Sequence, residues 1–258
     1  MKVLRIILII LAIALLVFCA YIALSFFGNP ILIFSINNSA KAYIEEKYPD
    51  SDFTVEGAFY NFKLGYYSVN VYDKGLVDCY FSLYYNGEGR LTNDTYSGRY
   101  LSGLNTALRI DGEYNKLAES VLASEELGFG ADVCFGFIEF TDGRASDAPE
   151  YAVPYSELLI NGEHDMRILG ARAGVITLDV GGDDCSVEAL ADILLSIREE
   201  FDKAGVGFKV IDITLYSEDG QSVSLFGFDY ADIYEDGLYE RVRESNDSAL
   251  EYYAGQSK

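Results

Sequence analysis

Apolar and polar positions follow three different patterns along this chain. The first is a continuous apolar run, with no charged side chain from Ile6 to Phe27. A helix of that length rises about 33 Å at roughly 1.5 Å per residue, which is enough to cross a hydrocarbon core of about 30 Å. The tripeptide Gly28-Asn29-Pro30 should then break the helix. The pattern predicts an N-terminal membrane anchor over residues 1–30.

A short helix and then a segment with a sequence period of two follow the anchor. Asn38-Ser39 can cap the helix, and Pro49 must end it, because proline disfavours helical geometry in the residue before it. Apolar and polar residues then alternate, as in strands with one buried face. The pattern predicts a lobe over residues 31–100, made of this helix and three antiparallel strands at Phe53–Phe62, Gly65–Tyr72 and Asp78–Tyr85.

The helical period returns from Leu104 and predicts a connecting helix over residues 101–128. A second lobe over residues 129–244 should mix strands and helices, and a polar, flexible tail should occupy residues 245–258. The clearest helix of that lobe is capped near Ser186 and stopped by Gly205. The other elements predicted for the second lobe are strands at Val133–Phe140, Val175–Val180, Phe208–Tyr216 and Ser222–Phe228, and helices at Asp165–Ala173 and Ala231–Arg243.

This order of elements predicts the fold class. The chain should be an α+β protein, with an N-terminal transmembrane helix followed by two small α+β lobes. In each lobe, helices should cover a mostly antiparallel sheet.

Two alternatives to an uncleaved anchor stay open. Lys2 and Arg5 could form the basic region of a signal peptide, but the apolar run exceeds the usual length of about 7–15 residues. No small-residue cleavage site follows Phe27. Cys19 could be a lipoprotein site, although the bulky Phe18 stands where a small residue is expected. An uncleaved anchor is the better interpretation.

The charges at the N-terminus predict the orientation. Lys2 and Arg5 are the only charges before residue 31, and a basic flank favours the cytoplasmic side. We therefore expect a single-pass protein of the cell membrane, held in the lipid bilayer through Ile6 to Phe27. Its N-terminus should be cytoplasmic and its C-terminal domain extracytoplasmic.

The part of the chain beyond the anchor is strongly acidic. Of 19 basic and 41 acidic residues, only two basic ones precede residue 31, so the remainder carries a formal charge of −24. Such a charge repels nucleic acid and anionic headgroups, so no nucleic-acid partner is expected and a charged partner should be basic or a cation. The acids are scattered through turns and exposed helix faces, which favours a solvated surface.

The sequence contains no recognisable catalytic, metal or cofactor motif. His164 is the only histidine and lies in a polar turn, which leaves no residue pattern for a two-histidine zinc site. Gly181-Gly182 precedes a helix, but Asp183 and Asp184 beside it would repel an anion. We therefore expect no catalytic, metal or cofactor-binding residues. A disulfide among Cys79, Cys134 and Cys185 stays an open alternative.

Tyrosine is the residue type that exceeds ordinary composition, with 21 of 258 positions. Several tyrosines should lie on the sheet face opposite the core of the first lobe, where exposed aromatic side chains often mark a binding surface. The alternative is ordinary sheet packing, since tyrosine favours strands. The residues of this candidate binding surface are Tyr66, Tyr72, Tyr80 and Tyr84.

Several segments resemble the YfjL-like proteins of Gram-positive bacteria. Residues 42–50, followed by Phe53 and Val55, then residues 60–63 and 65–67, are similar to the first domain of that family. Residues 117–122, and the unit from Ala173 through Gly205 to residues 212–215, are similar to its later parts. The resemblance implies an uncharacterised membrane-anchored protein with two α+β lobes, and it supplies no catalytic residue.

The sequence thus favours a non-enzymatic binding or interaction module of the cell envelope, with an envelope protein or glycan as partner. An alternative is an envelope hydrolase of glycan or peptide that uses carboxylates such as Glu139 and Asp179, which end predicted strands. A further alternative is a protease-regulating module, by analogy with small inhibitory folds.

Overall fold

The computed structural model describes residues 2–144, 146 and 148–256. It divides into two compact units, Met1–Asn105 and Thr106–Lys258. Both units combine helices with sheets, and the long apolar helix comes first, so the predicted α+β fold class is confirmed. The segment predicted to connect the lobes contains helix α3 (Leu104–Leu122), which belongs to the second unit from Thr106 onward.

Two helices open the first unit, α1 (Lys2–Phe27) and α2 (Pro30–Lys47). The predicted break between them is present: Gly28 has a φ of +75°, a conformation that glycine adopts readily. Helix α2 begins at Pro30, earlier than the cap predicted at Asn38-Ser39. The reason is the cap at Asn29, whose Oδ1 accepts a hydrogen bond from the backbone N–H of Ile31 at 2.9 Å.

The sheet of the first unit has five strands where three were predicted. The predicted strand Phe53–Phe62 is split in two, and a short strand after the turn at residues 86–89 was missed. Strand β3 is central, with β1, β2 and β4 paired to it and β5 paired to β4, all antiparallel. The strands are β1 (Phe53–Val55), β2 (Phe59–Asn61), β3 (Tyr66–Asp73), β4 (Tyr80–Tyr85) and β5 (Leu91–Asp94).

The alternating pattern of β3 and β4 separates a buried face from one that is half-exposed except at the buried Ser68. Helix α2 lies against the buried face, and the buried side chains of the two elements form one core. Apolar residues at every second position make this register the favourable one, since a shift by one residue would expose them. The core of this unit contains Ile36, Ala40, Ile44, Tyr67, Val69, Val71, Phe81, Leu83 and Tyr85.

The second unit has a four-stranded sheet in the order β11-β10-β9-β6. Strands β9 and β10 are parallel and are joined by helix α5, while the two outer pairs are antiparallel. A two-stranded parallel pair, β7 with β8, stands apart. The strands are β6 (Ala131–Ile138), β7 (Phe140–Thr141), β8 (Val153–Pro154), β9 (Gly174–Gly181), β10 (Val210–Tyr216) and β11 (Ser222–Asp229).

Three further helices complete the second unit: α4 (Met166–Ala173), α5 (Val187–Ala204) and α6 (Leu238–Gln256). The predicted ends of α5 are confirmed, since Ser186 caps its start and Gly205 ends it with a φ of +67°. The apolar face of α5 is buried in the main core, together with the inward residues of the sheet. Helix α6 differs from the prediction.

The final helix begins at Leu238, after a short 3-10 turn at Tyr230–Asp232, and not at Ala231. It also includes residues up to Gln256, which the sequence pattern assigned to a flexible tail. The Asn246 side chain of α6 explains part of the difference, because its Oδ1 accepts a hydrogen bond from the backbone N–H of Ser224 at 3.0 Å. Strand β11 lies at an edge of the sheet, and this bond satisfies one of its free donors. Residues 257 and 258 lie outside the described part of the chain.

Candidate functional site

The four predicted tyrosines lie on one face of strands β3 and β4, which we call the tyrosine face: Tyr66, Tyr72, Tyr80 and Tyr84. Tyr72 and Tyr80 stand directly opposite each other across the two strands. The rings of Tyr66 and Tyr84 meet edge to face, with centroids 5.1 Å apart and an interplanar angle of 88°. Such a geometry aligns the positive edge of one ring with the negative face of the other. The sheet therefore displays two aromatic pairs.

Polar side chains lie between the two aromatic pairs. The Ser82 hydroxyl donates to Asn70 Oδ1 at 3.1 Å, and Asn70 Nδ2 donates to Glu56 Oε2 at 3.0 Å. Tyr80 is 42% exposed and the other three tyrosines are half-buried. Among the described residues, no protein partner accepts from the four tyrosine hydroxyls. The face thus offers aromatic surface together with free hydroxyls, a combination suited to binding a protein or a sugar.

A buried carboxylate on the other side of the sheet was missed by the sequence analysis. Asp94 Oδ2 accepts hydrogen bonds from the Tyr43 hydroxyl at 2.8 Å, from Lys47 Nζ at 2.9 Å and from the Tyr48 hydroxyl at 2.8 Å. Its Oδ1 accepts from the backbone N–H of Tyr96 at 2.9 Å. We call these four side chains, of Tyr43, Lys47, Tyr48 and Asp94, the Asp94 cluster. It ties the end of helix α2 to strand β5.

The Asp94 cluster also shifts the protonation of its members. Burial opposes ionisation of Asp94, but the hydrogen bonds from Tyr96, Lys47 and the two tyrosines outweigh it, so the pKa of Asp94 lies below its usual value. Burial and the hydrogen bond to Asp94 raise the pKa of Tyr48, whereas the hydrogen bonds that Lys47 donates to Tyr43 and Asp94 raise the pKa of Lys47. These shifts favour an ionised carboxylate, a charged ammonium and neutral phenols. All the acceptor capacity of Asp94 Oδ2 is used internally, which indicates a structural role.

The second unit contains a groove of about 490 Å³ beside the end of helix α5. Phe208 and Tyr230 form part of its wall, with ring centroids 5.0 Å apart. Four of its polar groups are paired with one another: Lys209 bonds to Asp229, and the Tyr230 hydroxyl bonds to Asp202. Burial raises the pKa of Asp229, but the bonds from Lys209 and a backbone N–H prevail and lower it. A ligand in this groove would have to compete with these internal bonds.

The structure does not bring Glu139 and Asp179 together. Glu139 follows β6, where its backbone N–H bonds to the carbonyl of Ala173, and Asp179 lies six residues further along β9. At about 3.3 Å per residue, the two positions are roughly 20 Å apart. A pair of glycosidase carboxylates is separated by about 5–10 Å. These two residues therefore do not form such a pair.

Asp111, a carboxylate that the sequence analysis did not identify, lies near Glu139. Burial raises the pKa of Asp111, and burial together with the charge of Asp111 raises that of Glu139. Asp111 Oδ1 is occupied, because it accepts the backbone N–H of Ile138 at 2.9 Å. This bond fixes helix α3 on strand β6, which again indicates a structural function.

The remaining candidates of the sequence have local roles in the structure. His164 closes its own turn: its Nε2 accepts from the Leu159 N–H at 3.3 Å, and its Nδ1 lies 3.1 Å from the Gly162 carbonyl. All four cysteines are free, and Cys79 is buried. In the described residues, no group of three His, Cys, Asp or Glu side chains is arranged to hold a metal ion.

The helix α1 is long and apolar enough to cross a membrane, and none of its most apolar window is buried inside the protein. The mean hydropathy of that window is 3.2. Exposed side chains include Leu11, Leu16 and Phe18 in the middle of the helix. This helix differs from a core helix, which would bury such residues.

Two family models match the chain. The YfjL-like N-terminal domain matches residues 3–95, and the YfjL-like C-terminal domain matches residues 113–243. Together they cover most of the chain, and the boundary between them falls near the division of the structure into two units. Comparison with curated proteins and with solved structures found no match.

Proposed function

We propose that this chain, which belongs to the YfjL-like family, is a single-pass membrane protein whose first lobe binds another component of the cell envelope through the tyrosine face. In this proposal α1 spans the cell membrane and residues 31–258 are extracytoplasmic. The protein acts as a non-enzymatic interaction module.

The exposure of the apolar side chains of α1 is the main evidence for the proposed membrane anchoring. The 26 residues of this helix include a run from Ile6 to Phe27 without charge, and no part of its most apolar window is buried. Each large apolar side chain left in water costs about 1.5–3 kcal/mol relative to an apolar environment. A bilayer removes that cost for the whole helix at once.

A firm connection between α1 and the sheet supports a role for the first lobe at the membrane. The backbone N–H of Asn29 donates to the Tyr67 hydroxyl at 2.9 Å. A Cβ atom on Gly28 would lie 2.7 Å from Cβ of Tyr60, so the chain passes in close contact with the sheet. The anchor therefore leaves the lobe in a defined direction, which also fixes how the tyrosine face is presented.

The first experiment tests the orientation. Intact cells that carry the protein with a C-terminal tag are treated with an external protease. We expect loss of the tag, because residues 31–258 are proposed to lie outside. If the tag stays protected until the cells are lysed, the extracytoplasmic assignment is wrong.

A second experiment tests the tyrosine face. The photo-reactive residue benzoylphenylalanine replaces Tyr80, which is 42% exposed, and in a matched control it replaces Tyr239, which is 38% exposed. Irradiated membranes should give a discrete crosslinked species with the first variant and not with the control. Equal crosslinking at both positions, or none at Tyr80, would reject this face as the binding surface.

A further inference from the structure

Six exposed apolar side chains lie on the segments next to the end of α1. These segments are the end of α1 itself, the start of α2, which follows it in the chain, and the turn between β2 and β3, which is distant in sequence. The side chains are Phe26, Phe27, Ile31, Phe34, Phe62 and Leu64.

The turn between β2 and β3 lies directly against the end of α1. The rings of Phe62 and Phe26 have centroids 5.1 Å apart, in a tilted arrangement. Phe62 is still 51% exposed, and Leu64 is 67% exposed. The turn thus adds apolar surface to the helix end and does not bury it.

The backbone of this turn holds its apolar residues outward. Asn61 Oδ1 accepts from the N–H groups of Lys63 and Leu64, each at 3.2 Å, and the Asn61 carbonyl accepts from Gly65 at 2.8 Å. Gly65 closes the turn with a φ of +71°, which favours glycine. The protein supplies the polar partners of the turn, so Phe62 and Leu64 can enter an apolar medium without leaving these backbone groups unsatisfied.

The depth of the turn follows from its contact with Phe26. The apolar run of α1 ends at Phe27, so in a spanning helix this end lies at the boundary between hydrocarbon and headgroups. The turn that touches Phe26 then lies at the same depth. Tyr60 and Tyr66 flank it, and tyrosine is typical of membrane interfaces.

The charge of the turn fits the same location. The chain beyond the anchor is strongly acidic, yet Lys63 is the only charged residue from Gly57 to Asp73 other than Asp73 itself. A lysine can bury its stem beside apolar groups and place its ammonium at the headgroup level. The approach of this lobe to a lipid surface therefore meets no acidic group at the turn.

We propose that the β2–β3 turn is a second membrane contact, in which Phe62 and Leu64 enter the interfacial region of the bilayer that α1 spans. Lys63 lies among the lipid headgroups. The inference rests on the proposed anchoring by α1. It adds that the first lobe is seated on the membrane surface through its own side chains.

The test uses the full-length chain in vesicles of phosphatidylcholine and phosphatidylglycerol. The cysteines at 19, 134 and 185 are replaced by alanine, and the buried Cys79 is kept because it does not react in the folded protein. One added cysteine that carries a polarity-sensitive fluorophore is placed at Phe62 or, separately, at Leu64. The control label replaces Val77, which is 66% exposed and lies beyond the other end of β3. That end is roughly 26 Å away along the strand.

Labels at positions 62 and 64 should show blue-shifted emission that is quenched by spin-labelled lipids, whereas the label at position 77 should be unaffected. The proposal would be overturned if the labels at positions 62 and 64 emitted at the same wavelength as the label at position 77. Blue-shifted emission without quenching by lipid would also overturn it, because protein and not lipid would then cover the turn.

A further variant, in which Cys19 is kept and labelled while Cys134 and Cys185 are replaced by alanine, separates the two proposals. Cys19 lies within α1, so its label should be quenched deep in the bilayer if the helix spans it. Quenching at position 19 with none at 62 or 64 would refute the membrane contact of the turn alone. Absence of quenching at position 19 would instead reject the anchoring itself.

Discussion

Replacing Asp94 by asparagine should destabilise the first lobe while leaving its shape unchanged. The side chain of Asp94 is only 10% exposed and its two oxygens accept four hydrogen bonds. Asparagine has the same size, but it is neutral and one of its two terminal atoms is a donor. In D94N either the Tyr96 N–H or the three donors at Oδ2 must lose an acceptor.

The magnitude follows from the bonds that are lost. A hydrogen bond to a charged group contributes about 1.5–3 kcal/mol, and a buried donor left unsatisfied costs about 1–3 kcal/mol. Lys47 keeps part of its solvation, because its side chain is 48% exposed. We therefore expect a loss of about 2–3 kcal/mol in the free energy of unfolding, near the lower end of these combined values.

Hydrogen exchange measured on the full-length chain in detergent micelles would localise this loss. A decrease of about 2–3 kcal/mol corresponds to an increase of roughly 30- to 150-fold in the opening equilibrium, since about 1.4 kcal/mol is tenfold. Amides of β4 and β5 should exchange faster by that factor. The matched control is E88Q, which breaks the exposed pair of Glu88 with Arg90 in the same lobe and should cost less than about 1 kcal/mol.

Equal exchange rates in D94N and E88Q would refute the reasoning. The pH dependence gives a second check on the same residue. The folded pKa of Asp94 is lowered, so its contribution is present above the unfolded pKa, near 3.8, and is lost as the pH falls through the folded pKa. The wild-type lobe should therefore lose stability below that pH more steeply than D94N does.

Three other outcomes can be measured on the same protein. The folded-state pKa values of Lys47 and Tyr48 are raised, so the two protonated groups stabilise the fold below their unfolded pKa values, and this stabilisation is lost as the pH rises. The midpoint of thermal unfolding should therefore fall above about pH 10; an unchanged midpoint would contradict this. G28A should cost at least about 1–2 kcal/mol in the same exchange assay, since alanine is strained at positive φ and its Cβ would clash with Tyr60; wild-type exchange would disprove it. Cys79 should resist thiol reagents until the lobe unfolds, because burial raises its pKa to about 11; rapid labelling of the folded protein would show this to be wrong.

The sequence predicted correctly those elements that are determined by residues within a single segment of the chain. Helix α5 is an example, because its cap at Ser186, its apolar stripe and its terminal Gly205 all lie within one segment. The α1 helix is another, since length and composition alone identify a span. The alternation in β3 and β4 likewise predicted which tyrosines share a face, and the structure places all four on that side.

The features that were missed depend on partners distant in sequence. Asp94 looks like an ordinary turn aspartate, and its three side-chain donors lie 46 to 51 positions away. Strand β5 ends at this residue and is too short to show a period of its own. The extension of α6 similarly depends on the bond from Ser224 to Asn246, which no pattern within the helix indicates.

The central strand β3 connects the anchor with the proposed binding surface. Consecutive residues of a strand point to opposite faces, so Tyr67 meets the anchor through Asn29 while Tyr66 joins the tyrosine face. Tyr72 lies six residues further along, or roughly 20 Å at about 3.3 Å per residue. If the β2–β3 turn rests on the bilayer and β3 runs away from it, Tyr66 lies near the membrane surface and Tyr72 well above it. A partner that covers the whole face must then reach down to the lipid, so a membrane-bound partner fits this surface better than a freely diffusing one.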